Sequence, residues 1–365
     1  MPDLLKNMYN YESLRKLALD IQSAYDGFPA EAFLQSTMDE SWDSLELKAR
    51  GRQISTNLRK YLPADYHAAI SIIDKVVMNY GTWLDGVFGV IFPDFVEAFG
   101  QDEINWDISI KALERYTVYA SAEFAVRPFI INHEERMMAQ MYAWVKHENE
   151  GVRRLASEGC RPALPWGQAL SSFKKDPSPV LPILTELKAD PSPHVRRSVA
   201  NNLNDISKTH PDLIIQLAKD WLGQSEEIDW VVKHGCRTLL KKGNADVLAI
   251  FGFDEATLTE ISGFSLEPAT ISVGDDIAFS FTLLAKQTAK VRLEYAIDYV
   301  KSNGKRNRKI FKISEILLRE NQQKAYTKKH SFKDVSVRKH YQGTHSITLI
   351  VNGVEQGTLD FELRA

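Results

Sequence analysis

The sequence predicts a multidomain chain, in which a helical repeat region is followed by a small β-sandwich, and two patterns support this prediction. Up to about residue 253, apolar residues recur at spacings of three and four, the period of an amphipathic helix. After a linker over residues 252–268, apolar residues alternate with polar ones, as in half-buried strands. We therefore expect a helical domain at residues 1–262 and a β domain at residues 263–365.

Turn-forming residues divide the helical region into helices of ordinary length. Leu14, Leu17, Ile21 and Tyr25 illustrate the apolar stripe of one such helix. The pattern is interrupted at clusters that contain proline, which ends or begins helices. These clusters are Gly27-Phe28-Pro29, Leu62-Pro63, Phe92-Pro93, Asp176-Pro177-Ser178-Pro179, Asp190-Pro191-Ser192-Pro193 and His210-Pro211.

A short motif repeats three times in the second half of the helical region. Val152-Arg153-Arg154, Val195-Arg196-Arg197 and Val232-Lys233-His234 are 43 and 37 residues apart, close to the period of paired-helix HEAT units. Each copy follows a polar or acidic segment suited to a helix N-terminus. We therefore predict a HEAT-like α-helical solenoid, although a Val-Arg-Arg string near a helix start also arises by coincidence.

The C-terminal hundred residues read as short strands joined by tight turns. Ile277, Phe279, Phe281 and Leu283 alternate with small polar residues, and the same alternation occurs at 291–297 and 359–363. Turn residues separate such runs at Ser302-Asn303-Gly304-Lys305 and at Asn352-Gly353, the latter typical of a two-residue hairpin. This predicts a small immunoglobulin-like β-sandwich, in architecture only, because the Cys…Trp…Cys pattern of antibody domains is missing.

The charges of the chain are distributed unevenly. The 45 Lys and Arg nearly balance the 48 Asp and Glu, and a net charge of -3 argues against a nucleic-acid binder. However, the net charge is -9 over residues 1–150, -1 over 151–270 and +7 over 271–365. Because such asymmetry is typical of proteins that bind nucleic acid or another anionic surface, that class stays open.

Several other classes lack sequence support. The two cysteines give no disulfide framework and fit a reducing cytosol, the start lacks a signal-peptide pattern, and the most apolar stretch, Thr82 to Pro93, is too short to span a membrane. The sequence contains no HExxH zinc motif, P-loop, dinucleotide fingerprint or GxSxG nucleophile elbow. We expect a cytoplasmic bacterial protein without a membrane partner, a metal or a cofactor, associated with the nucleoid only through DNA.

Charged residues of the three repeat units fall on corresponding helix faces. Arg154, Glu158 and Arg161 share one face through their i, i+4, i+7 spacing. The second unit offers Arg197 and Asp205 in the same way, and the third offers Lys233, His234, Arg237 and Lys241. Such a concave face could follow a phosphate backbone. The alternative is a solvated face with ordinary i,i+4 ion pairs.

Two further residues favour a chemical role. Glu123 lies among apolar neighbours, where a carboxylate is costly unless it is paired or functional, and Trp166 lies in a loop-like Pro-Trp-Gly segment. An alkylated cationic base is already a good leaving group, so hydrolysis of its glycosidic bond mainly requires carboxylates that stabilise the developing sugar cation and position water. An aromatic face adds cation–π attraction to the charged nucleotide.

Together these residues give a family resemblance that spans nearly the whole chain. The chain resembles the DNA alkylation repair glycosylases built on HEAT-like repeats, most closely the AlkC type with a C-terminal immunoglobulin-like domain. The segments that carry the resemblance are Ala122–Phe129, Arg153–Gly159 with Arg161-Pro162 and Pro165-Trp166, Val195–Asp205 and Trp230–Leu239.

The resemblance implies a monofunctional glycosylase that excises cationic N-alkylated bases from double-stranded DNA without fully flipping them. The implied substrates are 3-methyladenine and, for the AlkC type, 3-methylcytosine and 1-methyladenine. It makes Glu123, Glu158 and Asp205 the acidic catalytic candidates and Trp166 the aromatic contact. The implied phosphate contacts are Arg154, Arg161, Arg197, Lys233 and Arg237, to which the groove adds His234 and Lys241. We expect a monomer; spacing does not tell which carboxylate positions water.

The β domain carries a basic segment of its own. From Lys286 to Lys339 there are 16 Lys and Arg against five acidic residues, and Lys305, Arg306 and Arg308 lie around the predicted hairpin tip. The hypothesis is that this domain clamps DNA from the side opposite the helical groove. The alternative is a solubilising charge pattern on an edge strand. For the whole chain, the alternative function is a HEAT scaffold that binds DNA or a protein partner without chemistry.

Overall fold

The computed structural model describes residues 4–80, 88–253, 255–335 and 339–365. Helices come first and strands follow, as predicted. The most apolar stretch of the sequence runs from Thr82 to Pro93, and its residues 82–87 lie outside the described residues. In the described ranges the α-helices are α1 Tyr11–Ala24, α2 Ala30–Thr37, α3 Leu47–Tyr61, α4 Tyr66–Val77, α5 Ile91–Phe99, α6 Trp106–Tyr116, α7 Val126–Asn132, α8 Glu134–Trp144, α9 Glu150–Gly159, α10 Ser171–Lys175, α11 Leu181–Leu187, α12 Pro193–Ile206, α13 Pro211–Trp221, α14 Glu226–Gly235, α15 Arg237–Lys241 and α16 Ala245–Ile250. Short 3₁₀ helices lie at Leu5–Met8, Trp42–Ser44, Met78–Tyr80, Glu103–Asn105 and Ala256–Leu258.

Helix starts follow the capping signals of the sequence. Asn10 caps α1 in a reciprocal capping box with Ser13, Asn149 caps α9, and Ser192 caps α12 just before Pro193. Phe92-Pro93 differs from the predicted break, because it falls inside the first turn of α5. Proline is tolerated there, since the first amide groups of a helix have no intrahelical acceptor.

The three repeated motifs lie on α9, α12 and α14, and these helices pack side by side in that order. Between α9 and α12, the Asn202 amide donates to the carbonyl of Ser157 at 2.9 Å, and the Ser198 and Ser157 hydroxyls lie 3.0 Å apart. Between α12 and α14, a Cβ on Gly235 would come within 2.9 Å of Leu203, so glycine permits the close approach. These contacts fix the relative positions of the charged residues on α9 and α12.

The chain divides into two compact units, Met1–Thr209 with Gly223–Gly235, and His210–Leu222 with Cys236–Ala365. The second unit therefore contains α13, α15 and α16 as well as the strands. Within it, Lys290 of the sheet donates to the carbonyl of Phe251 at 2.6 Å, and Gly243 lies against Gly353. The domain boundary between 262 and 263 stays a prediction; β1 begins at Thr259.

The β domain consists of two sheets. Their strands are β1 Thr259–Glu267, β2 Thr270–Ser272, β3 Asp276–Ala285, β4 Ala289–Val300, β5 Arg306–Leu318, β6 Gln323–Ser331, β7 Gly343–Val351 and β8 Val354–Arg364. One sheet has the order β1-β3-β6 and the other β2-β8-β7-β4-β5, with every pair antiparallel except β2 and β8. Asn352 and Gly353 join β7 to β8 with φ of 46° and 79°, so the predicted two-residue hairpin turn is confirmed.

The core between the sheets follows the predicted alternation in β3, where Ile277, Phe279, Phe281 and Leu283 are all buried. Strand β4 departs from the prediction, because residues on both of its faces are buried. On its second face, Arg292 pairs with Glu294 at 2.6 Å and with Glu315 at 2.5 Å. Among the helices of the described ranges, none has the length and apolarity needed to cross a membrane.

Candidate active site

Three carboxylates and two arginines form a continuous network in the first compact unit. Arg154 Nη2 lies 2.8 Å from Glu123 Oε2 and 3.7 Å from Glu158 Oε1. Arg161 joins the same Glu158 oxygen at 2.6 Å to Asp205 Oδ2 at 2.8 Å. The structure thus brings together the three acidic residues that the sequence singled out, although they come from three separate segments.

Glu158 is the most unusual member of this network. It lies on the last turn of α9, only 5 % exposed, and its Oε1 accepts from Arg161. Its second oxygen, Oε2, is buried, and no residue of the described ranges hydrogen-bonds to it. A buried carboxylate oxygen without a donor is costly, so Glu158 Oε2 is an acceptor whose hydrogen-bonding capacity the described residues leave unused.

Asp205 is held from two sides at the end of α12. Arg161 donates to Oδ2 through Nε and places Nη2 2.8 Å from the same oxygen, while Lys208 Nζ lies 2.8 Å from Oδ1. Both partners are cations, so two positive charges compensate the Asp205 carboxylate in its buried position. Asp205 therefore supplies a fixed negative charge at the site.

Glu123 lies in the turn before α7 and is less buried than the sequence suggested, with 16 % of its side chain exposed. The Ser121 hydroxyl donates to Glu123 Oε2 at 2.7 Å and accepts from Arg154 at 3.0 Å. The closer carboxylate partner of Arg154 is thus Glu123, a residue of another segment, rather than Glu158, its i,i+4 neighbour on α9. The pairing joins α9 to the turn before α7 instead of stabilising α9 alone.

Trp166 projects from the loop between α9 and α10 and is 70 % exposed. Its φ is 62°, a left-handed conformation that a bulky residue adopts only where its surroundings impose it. The Lys48 ammonium donates to the Trp166 carbonyl at 2.9 Å and lies 4.8 Å from the centre of the Phe124 ring. The aromatic face is therefore presented by a defined backbone conformation.

Arg127 holds this loop through hydrogen bonds to its backbone carbonyls, a role that was not predicted from the sequence. Fully buried, it donates through Nη1 to the carbonyl of Gly159 and through Nη2 to that of Arg161, both at 2.9 Å, and through Nε to the carbonyl of Gln168. Burial lowers the pKa of the Arg127 guanidinium to about 10. The signal in the sequence was an arginine within the apolar run Ala125-Val126-Arg127-Pro128-Phe129, since a buried charge requires partners.

The predicted phosphate contacts divide into several groups. Arg161 is 6 % exposed and saturated by two carboxylates, so its position corrects the expectation of a phosphate contact. Arg197 is exposed on α12, and Lys233 and His234 lie half-buried near the end of α14, where Trp230 stacks on His234 with ring centres 5.1 Å apart.

The remaining basic candidates belong to the second compact unit. Arg237 is half-buried and Lys241 exposed on α15. Lys305, Arg306 and Arg308 are exposed at the β4–β5 turn and the start of β5, where Arg306 donates to Ser346 and Arg308 pairs with Glu355. Within the described residues, no group of three His, Cys, Asp or Glu side chains is arranged to hold a metal ion.

Comparisons with known proteins agree with this architecture. Residues 110–226 match the family model described as DNA alkylation repair enzyme, and residues 260–365 match the C-terminal Ig-like domain of the uncharacterised protein YhaZ. The uncharacterized protein YhaZ of Bacillus subtilis (strain 168) is 46% identical over 359 residues, which cover 98% of this chain and 99% of the relative.

A solved structure that matches the entire chain is among the similar proteins. It is the Pseudomonas fluorescens alkylpurine DNA glycosylase AlkC bound to DNA containing an abasic site analog, with a TM-score of 0.95, 35% identity and full coverage of both chains. The chain belongs to the AlkC-type DNA alkylation repair glycosylases. The predicted family and the predicted order, a helical region followed by an Ig-like domain, are thus confirmed. In this AlkC-type chain, all five members of the carboxylate network lie within the segment matched by the DNA alkylation repair model.

Proposed function

We propose that the protein is a monofunctional DNA glycosylase that hydrolyses the N-glycosidic bond of cationic N-alkylated bases. The observation that carries this proposal is the unpartnered Glu158 Oε2 within a fixed set of carboxylates that includes Glu123 and Asp205. The proposed substrates are 3-methyladenine, 3-methylcytosine and 1-methyladenine in double-stranded DNA.

The chemistry needs little acid catalysis, because the alkylated base leaves as a neutral molecule once the bond to the sugar breaks. Positive charge then develops on the sugar, and nearby carboxylates stabilise it electrostatically. Glu158 Oε2 is free to accept a proton from the attacking water, while Asp205, fixed by Arg161 and Lys208, supplies negative charge. Trp166, exposed on its loop, offers a π face to the cationic nucleotide.

This chemistry does not require that the base leave the DNA double helix. Glu158 and Asp205 are held by helices and Trp166 by a braced loop, so they can approach the sugar from the groove side. We therefore propose excision without full base flipping. Arg197, Lys233 and His234 contact DNA phosphates in this proposal, as Arg237 and Lys241 do in the other unit.

The β domain has a second part in the proposal. Its exposed residues Lys305, Arg306 and Arg308 contact the phosphate backbone and clamp the DNA. DNA binding by the AlkC relative supports the DNA partner. We also propose that the protein acts as a monomer in the bacterial cytoplasm, where a chromosomal substrate lies.

The test is base release from methylated DNA in single-turnover reactions. Wild-type protein should release 3-methyladenine and leave alkali-labile abasic sites. Glu158→Gln or Asp205→Asn should lower the rate at least about 100-fold while DNA binding is retained, since each removes a negative charge from the site. Glu148→Gln, an exposed carboxylate just before α9, is the matched control and should behave as wild type.

The alternative is a scaffold that binds DNA or a protein partner without chemistry. Under that alternative, the wild-type chain binds methylated DNA but releases no base. Repeating the assay with DNA that carries 1-methyladenine or 3-methylcytosine defines the substrate range.

A further inference from the structure

A pocket of about 110 Å³ lies next to Trp166 in the first compact unit. Its walls come from α3, α5 and the turn before α7, together with Tyr9 and Trp166 itself. This volume is several times the roughly 10–15 Å³ that a single water molecule needs, so the pocket can take a small planar molecule. It shares Trp166 with the proposed excision chemistry, which gives no role to the cavity itself.

One wall of the pocket carries two carboxylates with different surroundings. Arg52 Nη2 lies 2.9 Å from both Asp94 Oδ1 and Glu97 Oε1 and holds the two side chains in place. Asp94 Oδ2 is buried and accepts no hydrogen bond from any residue in the described parts of the chain. Burial, and then the neighbouring Asp94, raise the pKa of Glu97. Asp94 therefore brings an oxygen without a donor to this wall, beneath its accessible surface, and beside it lies a carboxyl that retains its proton more readily than usual.

The other walls are aromatic and connect the pocket to the carboxylate network. Tyr9, Phe124 and Trp166 line it. Ser121 lines it too, and its hydroxyl donates to Glu123 Oε2 at 2.7 Å. Through Ser121, the pocket thus adjoins the carboxylate network.

We propose that this pocket binds the free N-alkylated purine base after its bond to the sugar has broken. The proposal rests on the proposed function, which supplies that product. A methylated purine is planar, stacks on aromatic rings and carries an exocyclic amino group that donates hydrogen bonds. The Asp94 carboxylate, which lines the pocket, is the acceptor for that group, and the position of Ser121 and Trp166 places the pocket next to the site of cleavage.

Gly51 provides a way to close the pocket without changing its charges. It lines the pocket from inside α3, and the nearest atom to a Cβ placed there is Tyr9 Oη at 3.7 Å, an ordinary contact. Gly51→Ala adds one methyl group and favours the helix, whereas Gly51→Leu directs a branched side chain into the cavity. The two variants form a matched pair that differs in how much of the pocket is filled.

The experiment titrates free 3-methyladenine into the full chain without DNA, followed by calorimetry and by tryptophan fluorescence. The wild-type chain and Gly51→Ala should bind with affinities within about threefold of each other, while Gly51→Leu should lose at least about tenfold. Asp94→Asn, which removes the charged acceptor, should lose about tenfold. Thermal unfolding of each variant shows whether it is folded, and the fluorescence change should disappear in Trp166→Phe.

Several results would overturn the proposal. They are no heat of binding with the wild-type chain, equal affinity in a folded Gly51→Leu variant, or a fluorescence change that persists in Trp166→Phe. Because the titration contains no DNA, its result does not depend on whether the chain excises a base. A chain that excises the base but does not bind it contradicts only the pocket, and a chain that binds the base but excises nothing contradicts only the glycosylase.

Discussion

Arg161 is the residue on which the carboxylate network depends. Its guanidinium lies between Glu158 and Asp205, and all three side chains are almost fully buried. Removal of one partner from a buried ionic group leaves the others without compensation, which costs more than the intact network contributes to stability. Arg161 thus has a structural and electrostatic role in place of the phosphate contact that spacing indicated.

We predict that Arg161→Gln lowers the free energy of unfolding by about 3 to 5 kcal/mol at neutral pH, because two buried carboxylates lose their shared cation. Urea unfolding measures the change. Arg197→Gln is the control, because Arg197 is an exposed arginine on α12. It should change the stability by less than about 0.5 kcal/mol. Equal effects of the two substitutions would contradict the prediction.

His345 in the β domain is buried in its neutral form. Its Nδ1 donates to the carbonyl of Gly343 at 2.9 Å, and its Nε2 accepts from the amide of Val300 at 3.3 Å. Protonation of Nε2 would place its N–H group opposite the backbone N–H of Val300, so that neither group has an acceptor there. Burial lowers the pKa of His345, the nearby His340 and Arg306 lower it further, and the Gly343 carbonyl and Glu362 oppose this shift.

Acid should therefore destabilise the chain through His345. Because its folded pKa lies below the ordinary value of about 6.5, the unfolded chain binds the proton first. The contribution to stability is complete above about pH 6.5 and is lost as the pH falls through the folded pKa. Between about pH 7.5 and about pH 5.5, urea unfolding should show a smaller loss of stability for His345→Gln than for wild type, because the glutamine amide does not titrate and can make both bonds. Equal losses would refute this.

At the scale of single residues, the sequence identified those whose chemistry is conspicuous in their surroundings. Glu123 among apolar residues and Trp166 between proline and glycine were recognised in this way. Lys48 was not, because its bond to the Trp166 carbonyl joins residues 118 positions apart. The pocket wall that contains Asp94 was not predicted either, because periodicity shows which face of a helix is buried but not which loop covers it.

At the scale of elements, the loop between α9 and α10 is held by one buried side chain. Arg127 donates to three carbonyls that span the loop from Gly159 to Gln168. A Cβ on Gly159 would come within 2.6 Å of Val126, so the loop also begins at a position that only glycine fits. Trp166 is thereby attached to the helical framework from both ends of its loop.

We predict that Arg127→Met loosens this loop. The three carbonyls, two of them buried, lose their donor, which should reduce the stability by about 3 kcal/mol or more. Amide hydrogen exchange over residues 161–169 should accelerate, and single-turnover base release should fall, more than in Arg127→Lys, which keeps the charge and part of the bonding. Unchanged exchange in that segment would refute the role of Arg127.

Periodicity predicted most elements but not the burial of β4. An alternating strand is expected to leave one face to solvent, and β3 behaves in this way. In β4 the polar residues of the second face, Arg292 and Glu294, are buried as an ion pair with Glu315 on β5. The pattern of polar residues was read correctly, but their charge pairing across strands was not visible in it.

At the scale of the whole molecule, the sequence predicted the order of helices and strands, and the structure adds how they group into compact units. The change of period near residue 253 marks where helices end, but α15 and α16 form one compact unit with the strands. Contacts such as that between Gly243 and Gly353 join segments far apart in the chain, which local patterns do not report. Deletion of residues after about 265 would therefore expose a packed surface, and point substitutions are the better test of the β domain.

We predict that the basic end of β5 contributes to DNA affinity through ion release. Combined substitution of Lys305, Arg306 and Arg308 by Gln should make the slope of log K against log salt shallower by about 0.9 for each phosphate that is no longer neutralised. Fluorescence anisotropy with a labelled duplex measures the slope. Lys111→Gln, an exposed lysine on α6, is the control, and an unchanged slope in the triple variant would remove the β domain from the interface.

The left-handed backbone at Trp166 has a kinetic consequence. Lys48 and Arg127 hold the loop through contacts within the protein, so its conformational entropy is lost once, when the chain folds. A repair enzyme samples many undamaged sites for each lesion, and under the proposed function a preformed probe does not repeat that ordering cost at each of them. Stiffness in one loop would thus favour both the speed of the search and the strength of the final complex.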